Sequence, residues 1–247
     1  MSGIYLQEFF SSVQGEGPFV GCRQVFIRLA GCNWTCAYCD TPTDPAPETW
    51  VLEKTPGCRD FMTLPNPVEP QQLAEIVACH YDLTLHHSVS LTGGEPLLHT
   101  HFLKELIPRI SGTRAGIFLE TNGTLPGELS SVIHCIDIVS MDIKLESSTK
   151  TKTPWDVHKE FLAIASQKKV YVKVVISAAT KEAEIEQTGK LIGSIDPEIE
   201  LILQPVTAKG GIGAGSVDRV LKFQEQALKV LKNVRVIPQT HLMMGQL

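Results

Sequence analysis

Three cysteines lie close together near the N-terminus: Cys32, Cys36 and Cys39, spaced C-x3-C-x2-C. Three thiolates on one tight loop can each take a separate iron of a cubane cluster, and soft sulfur ligands suit iron–sulfur clusters or zinc. No fourth cysteine stands nearby, so one iron would keep an open corner, which is what a chelating small molecule needs. A zinc site completed by a distant Cys or His, and unligated core thiols, are the competing readings. Asn33, Thr35 and Asp40, interleaved with the cysteines, speak against a core segment. The other four cysteines differ. Cys22, Cys79 and Cys135 adjoin apolar or helical stretches and read as buried or inert thiols, and Cys58 falls in a proline-rich stretch.

Further along, Thr92-Gly93-Gly94-Glu95-Pro96 follows a strand pattern and precedes a helical one, and its glycines allow a close backbone approach. Glu120-Thr121-Asn122-Gly123 ends another strand, where ligand sites of α/β barrels collect. A plain Asn-Gly turn is the rival reading there. Arg28 stands inside an apolar strand four residues before Cys32, and a guanidinium grips a carboxylate bidentately. Its bland alternative is an ordinary surface ion pair.

These residues need a scaffold. Apolar, β-branched runs at 24–29, 89–92, 116–120, 136–141, 170–176, 200–203 and 234–237 read as strands. Amphipathic stretches at 71–80, 101–110, 156–165, 181–192 and 217–231 read as helices, the last with Val220, Leu221, Phe223 and Leu228 at helical spacing. The alternation predicts an α/β fold with a parallel sheet covered by helices. Six to seven such strands make a complete or partial (incomplete) TIM-type barrel. Residues 1–247 read as a single domain. Within it, residues 41–70 carry Pro42, Pro45, Pro47, Pro56, Pro65, Pro67 and Pro70, which predicts a loop or irregular insertion directly after the cysteines.

Bulk properties narrow the class. A net charge of −5 offers no basic face for nucleic acid. No run of about 18 apolar residues suggests a membrane span. The N-terminus lacks the pattern of a signal peptide, so a reducing cytoplasm is expected, where seven cysteines read as thiols or metal ligands rather than disulfides.

The cysteine spacing, with Tyr38 before the third cysteine, resembles the signature of the radical S-adenosylmethionine superfamily. The resemblance implies a [4Fe–4S] cluster whose open iron binds S-adenosylmethionine, cleaved on reduction to a 5′-deoxyadenosyl radical. Gly93-Gly94-Glu95-Pro96 is similar to the segment that such proteins set against the methionine end of the cofactor. Adding Ser12 to Gly17, Phe26 to Cys32, Cys39-Asp40-Thr41, Glu120 to Gly123, Gln204-Pro205 and Gln239-Thr240-His241, the chain resembles the 7-carboxy-7-deazaguanine synthase family over nearly its whole length. That resemblance implies ring contraction of 6-carboxy-5,6,7,8-tetrahydropterin with loss of ammonia, on the path to queuosine and related 7-deazapurines, with S-adenosylmethionine regenerated and Mg²⁺ required.

Site residues follow by resemblance. Val13, Gln14, Gly15, Glu16, Arg28, Thr92 and His241, with the carboxylate of Leu247, would contact the substrate. Tyr38, Cys39, Asp40, Gly94, Glu95, Ser140, Lys144 and Gln204 would contact S-adenosylmethionine, Asp142 being a rival to Lys144 because the spacing from Ser140 is longer than in compact members. Thr41 would ligate magnesium, a neutral oxygen acceptable to a hard cation that keeps other oxygen ligands. Expected partners are a flavodoxin or ferredoxin reductant and a second copy of the chain in a homodimer. The competing functions are another radical enzyme of the superfamily, such as a glycyl-radical activating enzyme, and a metal or redox module without catalysis. Neither accounts for Gln14 to Gly17 together with Arg28.

Overall fold

The computed structural model describes residues 3–36, 39, 46–207 and 216–245. Numbered along the chain, its strands are β1 (Leu6–Val13), β2 (Arg23–Leu29), β3 (Thr49–Glu53), β4 (Phe61–Pro65), β5 (Ser88–Gly93), β6 (Ile117–Thr121), β7 (Ile138–Asp142), β8 (Lys169–Ile176), β9 (Glu200–Pro205) and β10 (Val234–Val236). They form one open ten-stranded sheet in the order β10-β9-β8-β7-β6-β5-β2-β1-β3-β4. The seven strands expected from the sequence are β2 and β5 to β10, and they pair in parallel throughout. The architecture is a partial barrel, mostly parallel and open at both edges.

The helices are α1 (Pro70–His80), α2 (Thr100–Leu106), α3 (Pro126–Val132), α4 (Glu146–Thr149), α5 (Trp155–Ala165), α6 (Glu182–Gly193), α7 (Val217–Leu228) and α8 (Thr240–Met243). The longer ones cover the outer face of the sheet. There Leu119, Val139, Val172, Val174 and Leu201 meet Leu103, Leu129, Phe161, Ile185 and Phe223, all fully buried. This apolar layer, alternating with inward residues at period two, is what the strand patterns encode. Of the apolar residues expected on the last helix, Phe223 is buried, whereas Leu221 and Leu228 are exposed.

The inner face changes character along the strands. At one end Phe118, Ile138, Tyr171 and Ile202 pack around Phe19. Two residues further along the same four strands stand Glu120, Ser140, Lys173 and Gln204. An apolar plug thus gives way to a polar wall toward the C-terminal ends of the strands.

The proline-rich segment departs from the expected irregular loop. Residues 49–53 and 61–65 pair as an antiparallel hairpin, and β3 joins the sheet in parallel beside β1. Trp50 and Leu52 point into the core with 1% and 0% exposure. Among the described residues the prolines keep to the margins of the ladder: Pro47 before β3, Pro56 in the turn, Pro65 as the last residue of the edge strand, opposite Thr49, and Pro70 at the first position of α1. Strand β1, antiparallel to β2, is a further element the sequence reading did not identify.

Candidate active site

A cavity of about 380 Å³ opens at the C-terminal ends of β2 and β5 to β9 and is lined as well by β1, the turn that follows it, and α8. It gathers Val13, Gln14, Gly15, Glu16, Arg28, Cys32, Cys36, Cys39, Thr92, Gly94, Ser140, Lys144, Gln204 and His241 from across the whole sequence. Tyr38, Asp40, Thr41 and Leu247 lie outside the described residues.

The cysteine loop is held from below. Gly94 N–H donates to Leu29 O at 3.1 Å and Glu95 N–H to Gly31 O at 2.8 Å, so the Gly93-Gly94 turn clamps the root of the loop. A Cβ on Gly93 would sit 2.1 Å from Leu29 O, and one on Gly94 would sit 1.8 Å from Gly31 O. The glycines are therefore required by the neighbouring chain as well as available to a ligand. Asn122 Nδ2 donates to Asn33 Oδ1 at 2.9 Å, and Asn33 Nδ2 to Thr124 Oγ1 at 2.8 Å, which fastens the loop to the end of β6. Cys32 and Cys36 are half-buried and Cys39 exposed; burial pushes the Cys32 and Cys36 thiols upward from their usual range.

Glu95 does not line the cavity. It is fully buried, and its carboxylate accepts from Leu97 N–H at 3.1 Å, Thr121 Oγ1 at 2.9 Å and Asn122 N–H at 2.7 Å. Burial pushes it up to about 7 despite these bonds. Its contacts organise the ends of β5 and β6, so it supports the cysteine-loop side of the cavity without facing it.

On the opposite wall, Gln14 Nε2 donates to Gln24 Oε1 at 3.0 Å and Glu120 Oε1 at 2.9 Å, while its own Oε1 accepts from Glu16 N–H at 3.0 Å. Thr92 Oγ1 donates to Glu120 Oε2 at 2.7 Å. Glu120 is thus the hub that fixes both Gln14 and Thr92. Arg28 combines both readings of its sequence: Nε donates to Glu8 Oε1 at 2.6 Å, and the side chain, 23% exposed, lines the cavity. His241 packs directly on Gly15, where any side chain would collide with its ring. Thr240 N–H donates to Gly15 O at 2.9 Å, tying α8 to the turn after β1.

The floor carries charges. Lys173 pairs with Glu16 and lies 3.5 Å from Asp142, which also receives Lys144 at 2.7 Å. Burial alone would raise the Glu16 carboxyl, yet Lys173, assisted by Gln239, holds it at about 2. Lys173 was not singled out from the sequence, and Gln239 stood there only within the motif Gln239-Thr240-His241, without a role of its own. A lysine at an inward position of the apolar strand β8 is the same signal that marked Arg28, and it was available.

The polar wall fits the groups that the cysteine spacing calls for. Asp142 Oδ1 and Gln204 Oε1 are buried on the cavity wall with no hydrogen-bond partner among the described residues. Such acceptors are costly unless a ligand brings donors, which the amino, adenine and ribose groups of S-adenosylmethionine do. Among the described residues, no three His, Cys, Asp or Glu side chains converge on a single ion. A cubane asks something different, one thiolate for each of three irons. The remaining cysteines carry no disulfide; Cys58 and Cys79 are exposed, whereas Cys22 and Cys135 are half-buried and pack against the apolar cores.

Residues 26–187 match the Radical SAM superfamily. The chain is 43% identical to the 7-carboxy-7-deazaguanine synthase of Geobacter sulfurreducens, over 99% of this chain and 98% of that protein. It is 34% identical to the one from Methanothermobacter thermautotrophicus, over 96% of each. The crystal structure of QueE from Escherichia coli superposes with a TM-score of 0.55 at 22% identity, covering 97% of this chain and 95% of that one. A radical SAM methyltransferase from Sphaerobacter thermophilus gives 0.57 at 11% identity, covering 94% and 77%. These last two share the fold. Full-length identity to the synthases, carried on a cysteine loop that opens into a polar cavity, shows that the chain belongs to the 7-carboxy-7-deazaguanine synthase family of the radical S-adenosylmethionine superfamily.

Proposed function

We propose that the chain contracts 6-carboxy-5,6,7,8-tetrahydropterin to 7-carboxy-7-deazaguanine with release of ammonia, in the formation of queuosine and related 7-deazapurines. One observation carries the reading: a single cavity joins the three-cysteine loop to a wall bearing a guanidinium, Arg28, and a carboxylate, Glu16. When bound, the reduced cluster and S-adenosylmethionine supply a carbon radical able to remove a hydrogen from the substrate.

The chain's own residues do the positioning. Arg28, steadied by Glu8 from the neighbouring strand, receives the substrate carboxylate. Glu16, held ionised, accepts from the N–H groups of the pyrimidine edge. Thr92 and Gln14, both oriented by Glu120, and His241 frame the ring. Phe10, Phe26, Val175 and Leu242 form the apolar part of the wall and exclude water. Ser140, Lys144, Gln204 and Gly94 serve S-adenosylmethionine, and Asp142 joins them through its unpartnered oxygen. Assignments of Tyr38, Asp40, Leu247 and the magnesium ligand Thr41 rest on family resemblance.

A flavodoxin or ferredoxin as electron donor, a homodimeric assembly and a cytoplasmic location complete the proposal. Seven cysteines without a disulfide fit a reducing compartment, and among the described residues no helix is long and apolar enough to cross a membrane. The test is anaerobic reconstitution with iron and sulfide, then incubation with the pterin, S-adenosylmethionine, Mg²⁺ and dithionite. The expected product is 7-carboxy-7-deazaguanine. Cleavage of S-adenosylmethionine with the pterin left intact would transfer the assignment to another radical enzyme.

A further inference from the structure

Lys173 lies midway along β8 with its side chain 12% exposed. Its ammonium meets one oxygen of Glu16 and stands 3.5 Å from Asp142 Oδ2. The other Glu16 oxygen accepts from Gln239 Nε2 at 2.8 Å, and Gln239 is itself fixed by Thr207 Oγ1 at 2.6 Å. Glu16 N–H is held by Gln14. The carboxylate is therefore gripped from β8, from the segment leading into α8, and from its own turn. Charges alternate from the turn to the far wall as Glu16, Lys173, Asp142 and Lys144, two of each sign.

A buried carboxylate keeps its charge only where a cation or hydrogen-bond donors offset its lost hydration, and a buried ammonium likewise needs its acids. Lys173 has two, so it stays protonated and central. An ionised carboxylate offers about four acceptor positions, of which Lys173 and Gln239 use two. The remainder face a ligand as pure acceptors, complementary to adjacent N–H donors on a heterocycle.

We infer that Lys173 is a positioning residue: it keeps Glu16 an ionised, fixed acceptor for the heterocyclic edge of the substrate. This rests on the reading that Glu16 receives that edge. The other groups facing the pair are His241 beside Glu16, with Glu120 and Tyr171 beside Lys173.

The test measures equilibrium binding of 6-carboxypterin, an oxidised analogue, to the reconstituted, unreduced holoenzyme from pH 5 to 8 by anaerobic calorimetry. Ratios to wild type at each pH remove the analogue's own titration. Lys173→Met should bind at least about tenfold more weakly at pH 6, the scale of a lost charged hydrogen bond. Burial then governs the Glu16 carboxyl, so the deficit should shrink as pH rises. Lys173→Arg should stay within about threefold of wild type, since it restores the cation. A Lys173→Met enzyme with wild-type affinity at every pH would overturn the inference. Should that variant fail to assemble, Glu16→Gln decides. With Lys173 present its deficit should be constant from pH 5 to 8, whereas a deficit vanishing toward pH 5 means that wild-type Glu16 titrates there and overturns the inference. Wild-type enzyme that binds no analogue defeats the substrate assignment itself, a result distinct from binding that is indifferent to Lys173.

Discussion

Arg28 and Lys173 are cations at inward positions of largely apolar strands, and each is stabilised by a carboxylate from another element. A neutral residue illustrates the complementary case. His158 on α5 is fully buried; its ring nitrogen Nδ1 is 3.0 Å from Gly123 O, an acceptor only, so Nδ1 carries the proton. Burial lowers its pKa to about 4. The unfolded chain takes up that proton near 6.5, whereas the folded chain resists until about 4. Stability from this residue is therefore complete above pH 6.5 and is lost as pH falls through 4, about 3 kcal/mol in all. Denaturant unfolding at pH 7.5, 6 and 5 should show wild type losing stability faster than His158→Asn, whose amide can keep the bond to Gly123. Equal slopes would remove His158 as the source.

At the scale of elements, the turn after β5 and the cysteine loop form one device, because the backbones touch where side chains would normally stand. Gly94→Ala places a methyl group 1.8 Å from Gly31 O and must displace the root of the loop. Reconstituted protein should carry well under half the iron of wild type, and its affinity for S-adenosylmethionine should fall about tenfold or more. Gly127→Ala on α3 meets nothing within 4 Å and should leave both unchanged. Iron content and cofactor binding at wild-type levels in Gly94→Ala would show the loop to be insensitive to this turn. The hairpin of β3 and β4 is tied to the site as well. Glu53, buried at its turn end, accepts from Arg59 N–H at 3.0 Å and Ser11 N–H at 3.4 Å, and the Arg59 guanidinium donates to Gly245 O just beyond α8. A segment that reads as an irregular insertion thus braces the tail carrying His241.

For the molecule as a whole, the three cysteines assigned to the cluster stand apart from the cores. Two apolar layers, one under the helices and one around Phe19, account for the packed interior, and none of Cys32, Cys36 and Cys39 belongs to either. Removing the metal should therefore empty the site and leave the sheet intact, unlike small domains whose metal supplies the folding energy. Cys36→Ala should purify without a stable cluster, yet keep the far-ultraviolet circular dichroism of wild-type apoprotein and unfold cooperatively within about 1 kcal/mol of it. Loss of cooperative unfolding would make the cluster part of the fold.

The family, the cofactor chemistry and the seven parallel strands were legible in the sequence because each is written locally. Ligand spacing needs only eight residues, and a strand or helix declares itself by its own periodicity. The hairpin was hidden because prolines at the margins of a ladder look the same, in one dimension, as prolines that break it. What only the tertiary structure decided is which side chains face one another. It turned Glu95 from the cavity into a buried brace, paired Arg28 with Glu8, and brought Lys173 against Glu16, residues 157 positions apart. Those partnerships depend on strand order and on the pleat that sends alternate residues to opposite faces, and neither is visible until the strands lie side by side.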